Sequence, residues 1–213
     1  MRFVGEEEPL EIAVLVSGTG TNLQALLDSV HGREARIVGV ASSVAGAPAL
    51  ARASGKGVPT AVFARESYED RGARDGAMAD WLMETLPHPP RLVVLAGYME
   101  LLGEVFLERW PGAVINVHPS LLPDFPGLHA IEQAIEHGAG TFGVTVHFVD
   151  KGIDTGPVIL QEAVQLPGVS DPGEVLKALR PLEHSLLAAA VRLFARGALS
   201  IDPENPRRVV IDR

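Results

Sequence analysis

The sequence predicts an α/β fold: an open, mostly parallel, twisted sheet with helices on both faces and antiparallel additions in the C-terminal half. Three observations carry this. Apolar runs of strand length alternate with helix-spaced segments through the first half, the rhythm of βαβ units with right-handed crossovers. Several of those runs are apolar throughout rather than alternating, as in strands covered on both faces. After Gly138 the rhythm changes, because Thr141 to Phe148 and Val158 to Gln165 are consecutive strand-like runs with no helix between them.

In order, Met1 to Pro9 reads as an acidic extension, and Leu10 to Val16 (LEIAVLV) as a buried strand. Ser17-Gly18-Thr19-Gly20-Thr21-Asn22 follows, and LQALLDSV then takes helical spacing. A strand, a Gly-rich turn and a helix make an anion cradle, since backbone N–H groups and the helix dipole converge there. A tight turn with a Thr or Asn cap is the other reading. The turn is neither GxGxxG nor a Walker A loop, which disfavours a nucleotide-hydrolysing enzyme. Arg36 to Ser42 reads as strand, Ala47 to Ser54 as helix, and Thr60 to Phe63 as a short strand. Tyr68 to Leu86 reads as one longer helix, stopped by His88-Pro89-Pro90. Arg91 to Ala96 and Ala113 to His118 are the next strands, with a short helix at Gly103 to Arg109. Pro172 to Arg196 is a long amphipathic helix with Leu176, Leu179, Leu182, Leu186 and Leu187 as core candidates; the tail carries two short strand-like pieces.

The formal net charge of -9 argues against broad nucleic-acid binding and against docking on anionic membranes. With no cysteine, neither a disulfide framework nor a thiol nucleophile is available. The N-terminus lacks a basic-plus-apolar signal pattern and no apolar run approaches the roughly 20 residues of a membrane span. A soluble cytoplasmic protein is the expectation.

The stretch from Ile115 to Gln161 carries the chemistry. Asn116 and His118 are two apart, so on a strand their side chains share a face. An amide donor beside an imidazole suits a reaction in which a carbonyl oxygen becomes negative: Asn donates to that oxygen, and His donates or manages a proton. Asp154, in a turn beyond the next strand, would favour the charged imidazole if the two meet. His147 is read as a satisfied core histidine. A metal reading would use His118, His129, His147 and Asp154, but no local ligand spacing supports it. Ser17 and Ser120 lack a nucleophile elbow.

These residues also carry a resemblance. SGTGTNLQALLD, AGYMELL, NVHPSLLPDFPGLHAIEQAI and VHFVDKGIDTGPVILQ are similar to the phosphoribosylglycinamide formyltransferases, within the wider folate-dependent formyltransferase group. Pro126-Gly127-Leu128-His129 resembles this branch rather than the tRNA-formylating one, and no tRNA-binding or regulatory domain is expected. The resemblance implies a Rossmann-like formyltransferase fold over 10–213, with a nucleotide- or phosphate-binding half at 10–112 and a catalytic and folate-binding half at 113–213. It implies a one-carbon transferase of purine biosynthesis, moving a formyl group from 10-formyltetrahydrofolate, a co-substrate, to glycinamide ribonucleotide, with no metal. Formyl-folate hydrolysis is the rival within the group. Asn116, His118 and Asp154 match the catalytic trio; Gly20, Thr21, Asn22, Arg180 and Glu183 match ribonucleotide contacts. Arg71, Met99, Glu100, Leu101, Leu102, Asn116, Asp150, Lys151, Gly152, Ile153 and Asp154 match folate contacts. Glu100 stands where a basic residue is often found, so main-chain contacts are expected there. Leu122-Pro123 resembles a cis bond. A monomer or a homodimer is consistent with all of this.

Overall fold

The computed structural model describes residues 8–212, so residues 1–7 of the expected acidic extension lie outside the described residues. Strands β1 (Leu10–Val16), β2 (Ala35–Ser42), β3 (Thr60–Val62), β4 (Leu92–Leu95) and β5 (Val114–His118) pair in parallel. β6 (Thr141–Phe148) and β7 (Val158–Gln165) continue the sheet antiparallel. A C-terminal hairpin of β8 (Leu199–Asp202) and β9 (Asn205–Ile211) joins the edge, where Val158 of β7 pairs in parallel with Arg208. The order is β3-β2-β1-β4-β5-β6-β7-β9-β8.

Both faces of the central strands are covered, as their apolar runs require. In β1, Ile12, Val14 and Val16 pack into one layer with helices α1 (Thr21–Ser29), α2 (Pro48–Ser54), α5 (Ala130–Glu136) and α6 (Pro172–Ala195). Ala13 and Leu15 point the other way, toward α3 (Arg71–Asp80) and α4 (Glu104–Leu107). All five are fully buried, and each Val, Leu or Ile so covered contributes about 1.5–3 kcal/mol relative to exposure.

The helix expected over Tyr68 to Leu86 is shorter. The Asp70 carboxylate accepts the Ala73 N–H at 2.8 Å, so α3 starts at a cap after Tyr68 rather than at it. The helix then widens into a π turn over Trp81–Thr85, where Trp81 packs against Phe63 with ring centres 5.9 Å apart. In α6, Leu179 and Leu187 are buried, while Leu182 and Leu186 are partly covered. Leu176 is a correction: it sits 37% exposed, off the stripe Val175, Leu179, Glu183, Leu187, Val191 that repeats every fourth residue into the core. Among the described residues no helix is long and apolar enough to cross a membrane.

Candidate active site

The parallel strands change direction of winding at β1, with β2 and β3 to one side and β4 and β5 to the other. A crevice opens at the carboxyl ends of strands at such a switch point. The two loops that border it are tied together: the Ser17 N–H donates to the Gly97 carbonyl at 3.0 Å, and the Met99 N–H donates to Ser17 Oγ at 2.8 Å.

The period of two in β5 brings Asn116 and His118 to one face, and the antiparallel register sets Asn116 opposite His147 and His118 opposite Thr145. The loop after β6 returns Asp154 to this face. Asp154 adopts φ 51°, a left-handed conformation that Asp tolerates better than most residues. Its carboxylate stands at the centre. Oδ2 accepts the Gly127 N–H at 2.7 Å and lies 3.4 Å from His118 Nδ1. Oδ1 lies 3.4 Å from Asn116 Nδ2 and 3.5 Å from His147 Nε2.

Each imidazole has one nitrogen fixed by a carbonyl. His118 Nε2 lies 2.9 Å from the Phe125 carbonyl and His147 Nδ1 lies 2.8 Å from that of Phe148. A carbonyl only accepts, so both of those nitrogens carry hydrogen. The exchangeable proton positions are then His118 Nδ1 and His147 Nε2, and both face Asp154. Burial opposes ionisation of that carboxyl, but the His147 hydrogen bond, the nearby His118 and the Gly127 amide outweigh it and hold Asp154 down to about 2. The Asn116 amide lies 3.2 Å from His147 Nε2, so when that nitrogen carries its proton toward Asp154 the amide donates to Asp154 Oδ1 instead of to the ring. The arrangement is an ionised carboxylate that keeps an amide and two imidazoles in register, a device for moving a proton beside an amide donor.

The group opens into a cavity of about 360 Å³ with largely apolar walls. Met99, Glu100, Leu101 and Leu102, from the loop after β4, form one wall; Asp150, Gly152, Ile153 and Asp154 form another. Arg71 and Lys151 are placed apart from it, flanking an adjoining hollow of about 150 Å³ that shares Leu101, Leu102, Gly152 and Ile153. Lys151 Nζ there pairs with Glu104 at 2.8 Å across the surface. Among the described residues no group of three or more His, Asp or Glu is placed to hold a metal ion.

Gly20, Thr21 and Asn22 open α1. Gly20 is its N-cap, with φ 73° and no side-chain cap bond, so the Thr or Asn cap does not form. A side chain at Gly20 would come within 2.6 Å of Ala49 Cβ. Asn22 is buried and its Nδ2 donates to Glu183 Oε2 of α6 at 3.4 Å. Burial pushes the Glu183 carboxyl upward despite that bond and the neighbouring Arg180, which is itself exposed. The ribonucleotide-matching residues of α1 and α6 are thus in contact through Asn22 and Glu183.

His147 and the Gly127 amide were not among the expected site residues. The signal for His147 was the alternation of Thr145 and His147 with Val144, Val146 and Phe148 in a strand buried on both faces. Polar residues on one face of such a strand need partners.

The sequence and the fold as a whole resemble known proteins. Residues 10–191 match the family model described as formyl transferase. The chain is 38% identical over 193 residues to the phosphoribosylglycinamide formyltransferase of Haemophilus influenzae, with 90% of each protein covered. The chain belongs to the formyl transferase family, in its phosphoribosylglycinamide formyltransferase branch. A family structure, glycinamide ribonucleotide transformylase 1 from Symbiobacterium toebii, superposes with a TM-score of 0.92 at 40% identity, covering 100% of this chain and 99% of that one. The trifunctional purine biosynthetic protein adenosine-3 of Drosophila melanogaster is 39% identical over 197 residues, 91% of this chain. The chain spans only 14% of that protein's length. Leu122-Pro123 is cis.

Proposed function

We propose that this chain transfers a formyl group from 10-formyltetrahydrofolate to the amine of glycinamide ribonucleotide, as the names of its full-length relatives suggest. The observation that carries the reading is the single carboxylate of Asp154, within 3.5 Å of Asn116, His118 and His147 at the mouth of an apolar cavity. The pterin ring enters between Met99 to Leu102 and the Asp150 to Asp154 loop. The phosphate sits on the free N–H groups at Gly20 to Asn22, and Glu183, with Arg180 near it, faces the amine-bearing end.

The neutral amine attacks the formyl carbon, and the carbonyl electron pair moves onto oxygen. Asn116 and protonated His118 stabilise that oxygen; Asp154 holds the positive charge on His118. The nitrogen that attacked gives up a proton, N10 of the folate receives one, and the carbon–N10 bond breaks to release tetrahydrofolate. The step as written uses no metal. Holding two substrates in one crevice supplies much of the rate. We read residues 10–213 as one unit, 10–112 carrying the phosphate and 113–213 the chemistry, working in the cytoplasm as monomer or homodimer.

Mixing the chain with both substrates and resolving products by mass spectrometry tests this. Formylated ribonucleotide and tetrahydrofolate should appear in equal amounts, and neither without the other substrate. Folate release without ribonucleotide would make the chain a hydrolase; tight binding of both with no product would make it a binding protein.

A further inference from the structure

The wall of the cavity formed by residues 99–102, with Gly103 just beyond it, is held from behind by two charges, on Arg74 and Asp75, that do not line it. Arg74 and Asp75 of α3 are 1% and 0% exposed, and Arg74 is the largest fully buried side chain among the described residues. Adjacent residues on a helix do not normally face each other. Here the guanidinium folds back, with Nε 3.1 Å and Nη2 2.8 Å from the same Asp75 oxygen. The remaining donors reach the loop: Nη2 to the Leu101 carbonyl at 2.8 Å, and Nη1 to the Glu100 carboxylate at 2.9 Å. The other Asp75 oxygen accepts the Gly103 N–H at 2.6 Å. An arginine cannot shed its charge on burial, so it must be met by acceptors. Two of those acceptors, at residues 100 and 101, belong to this wall, and the third, Asp75, holds its end through the Gly103 N–H.

We propose that Arg74 and Asp75 are positioning residues that set the main chain of residues 99–103 to receive the folate ring, and that Glu100 serves as the counter-charge of Arg74. The proposal rests on the function argued above. Met99 is anchored by Ser17, Leu101 by Arg74 and Gly103 by Asp75. These anchors fall on alternate residues, which leaves the main chain of Glu100 and Leu102 to meet a flat heterocycle in the cavity. The carboxylate at 100 thereby has a role separate from that of its main chain, since a basic side chain there would face the buried guanidinium and be repelled.

Two variants test this in the full chain. Arg74→Met removes all the donors. Asp75→Asn keeps the shape, but in either amide orientation it sets N–H against N–H, toward Arg74 or toward Gly103. The expected result is a KM for formyl-folate and a Kd for tetrahydrofolate raised about 10-fold or more in both variants. The KM for ribonucleotide and kcat should stay within about 3-fold. If Arg74→Met fails to fold, Asp75→Asn decides. A merely structural pair would lower the melting temperature and the active fraction while leaving both constants of the folded fraction unchanged, and that result overturns the proposal. Equal losses in kcat and in both KM values also overturn it. A wild-type chain that binds tetrahydrofolate but forms no formylated product would remove the proposed reaction alone, and the Kd comparison would still decide this assignment.

Discussion

The main-chain N–H of Gly127 donates to Oδ2 of Asp154 at 2.7 Å, joining two loops that are 27 residues apart in sequence. The same oxygen is the one nearest His118 Nδ1. A neutral carboxamide at 154 could keep the Gly127 bond through its oxygen, yet it would offer His118 no charge. Asp154→Asn should therefore fold and bind both ligands but turn over at least 10²-fold more slowly, the scale of lost acid–base or oxyanion help. His118→Ala should lose a similar factor. Steady-state kinetics with ligand binding measured separately checks both, and near-wild-type turnover in either variant removes the mechanism.

The same carboxylate gives the chain an acid-sensitive stability. Its folded value, about 2, lies below the ordinary 3.8, so the folded state favours the ionised form. That contribution is fully present above about 4 and is lost as pH falls toward 2. Over the whole interval it amounts to about 2 kcal/mol. Urea unfolding at pH 5 and at pH 2.5 should show wild type losing more stability than Asp154→Asn across this window. Parallel losses in the two proteins would mean that the carboxylate is not held by its neighbours.

Much of this was legible in the residues, and the exceptions have physical causes. Runs such as Leu10–Val16 predict buried strands because no other short element is apolar on both faces. Asn116 and His118 are legible as partners because a period of two fixes their common face. Nothing local, in contrast, encodes which loop returns a carboxylate to them; the residues offer Asp154 as a candidate in a turn, and the resemblance singles it out. His147 reads the same in sequence whether it packs or takes part in chemistry. Arg74 and Asp75 are hardest, since a charged pair on a helix reads as a solvated face, and only the loop folded over α3 buries them. Helical spacing over Tyr68 to Leu86 overstates the helix, because that spacing runs on through residues ahead of the start that the Asp70 cap sets.

Glu183 lies on the buried stripe of α6, and burial raises its carboxyl above the usual range. A folded value above the unfolded one means stability that is complete at low pH and falls as pH rises through the folded value. Glu183→Gln removes that loss. Its melting temperature should exceed that of wild type at pH 7.5, and the gap should close at pH 4 and below. The KM for ribonucleotide should rise at the same time, the trade of stability for function common at binding sites. A variant no more stable at pH 7.5 would show that Asn22 compensates the buried charge in full.

Gly156, just beyond Asp154, lies where the loop passes close against the end of β6. A Cβ at this position would strike the Phe148 carbonyl oxygen, and its next neighbour would be the carbonyl carbon at 2.8 Å, so backbone rather than a flexible side chain must move. The Phe148 carbonyl is also the group that fixes His147 Nδ1. Gly156→Ala should thus displace the loop bearing Asp154 and loosen the ring beside it together. Overpacking of this kind costs about 1–3 kcal/mol, and a misplacement of the Asp154 carboxylate by about 1 Å would, under the proposed mechanism, cost up to about 10²-fold in rate. The variant should melt lower than wild type and lose at least about 10-fold in kcat, while the affinity for ribonucleotide is kept. Differential scanning calorimetry and single-turnover kinetics measure the two effects, and an alanine tolerated without loss in either would mean that this loop adjusts freely and does not hold Asp154 in place.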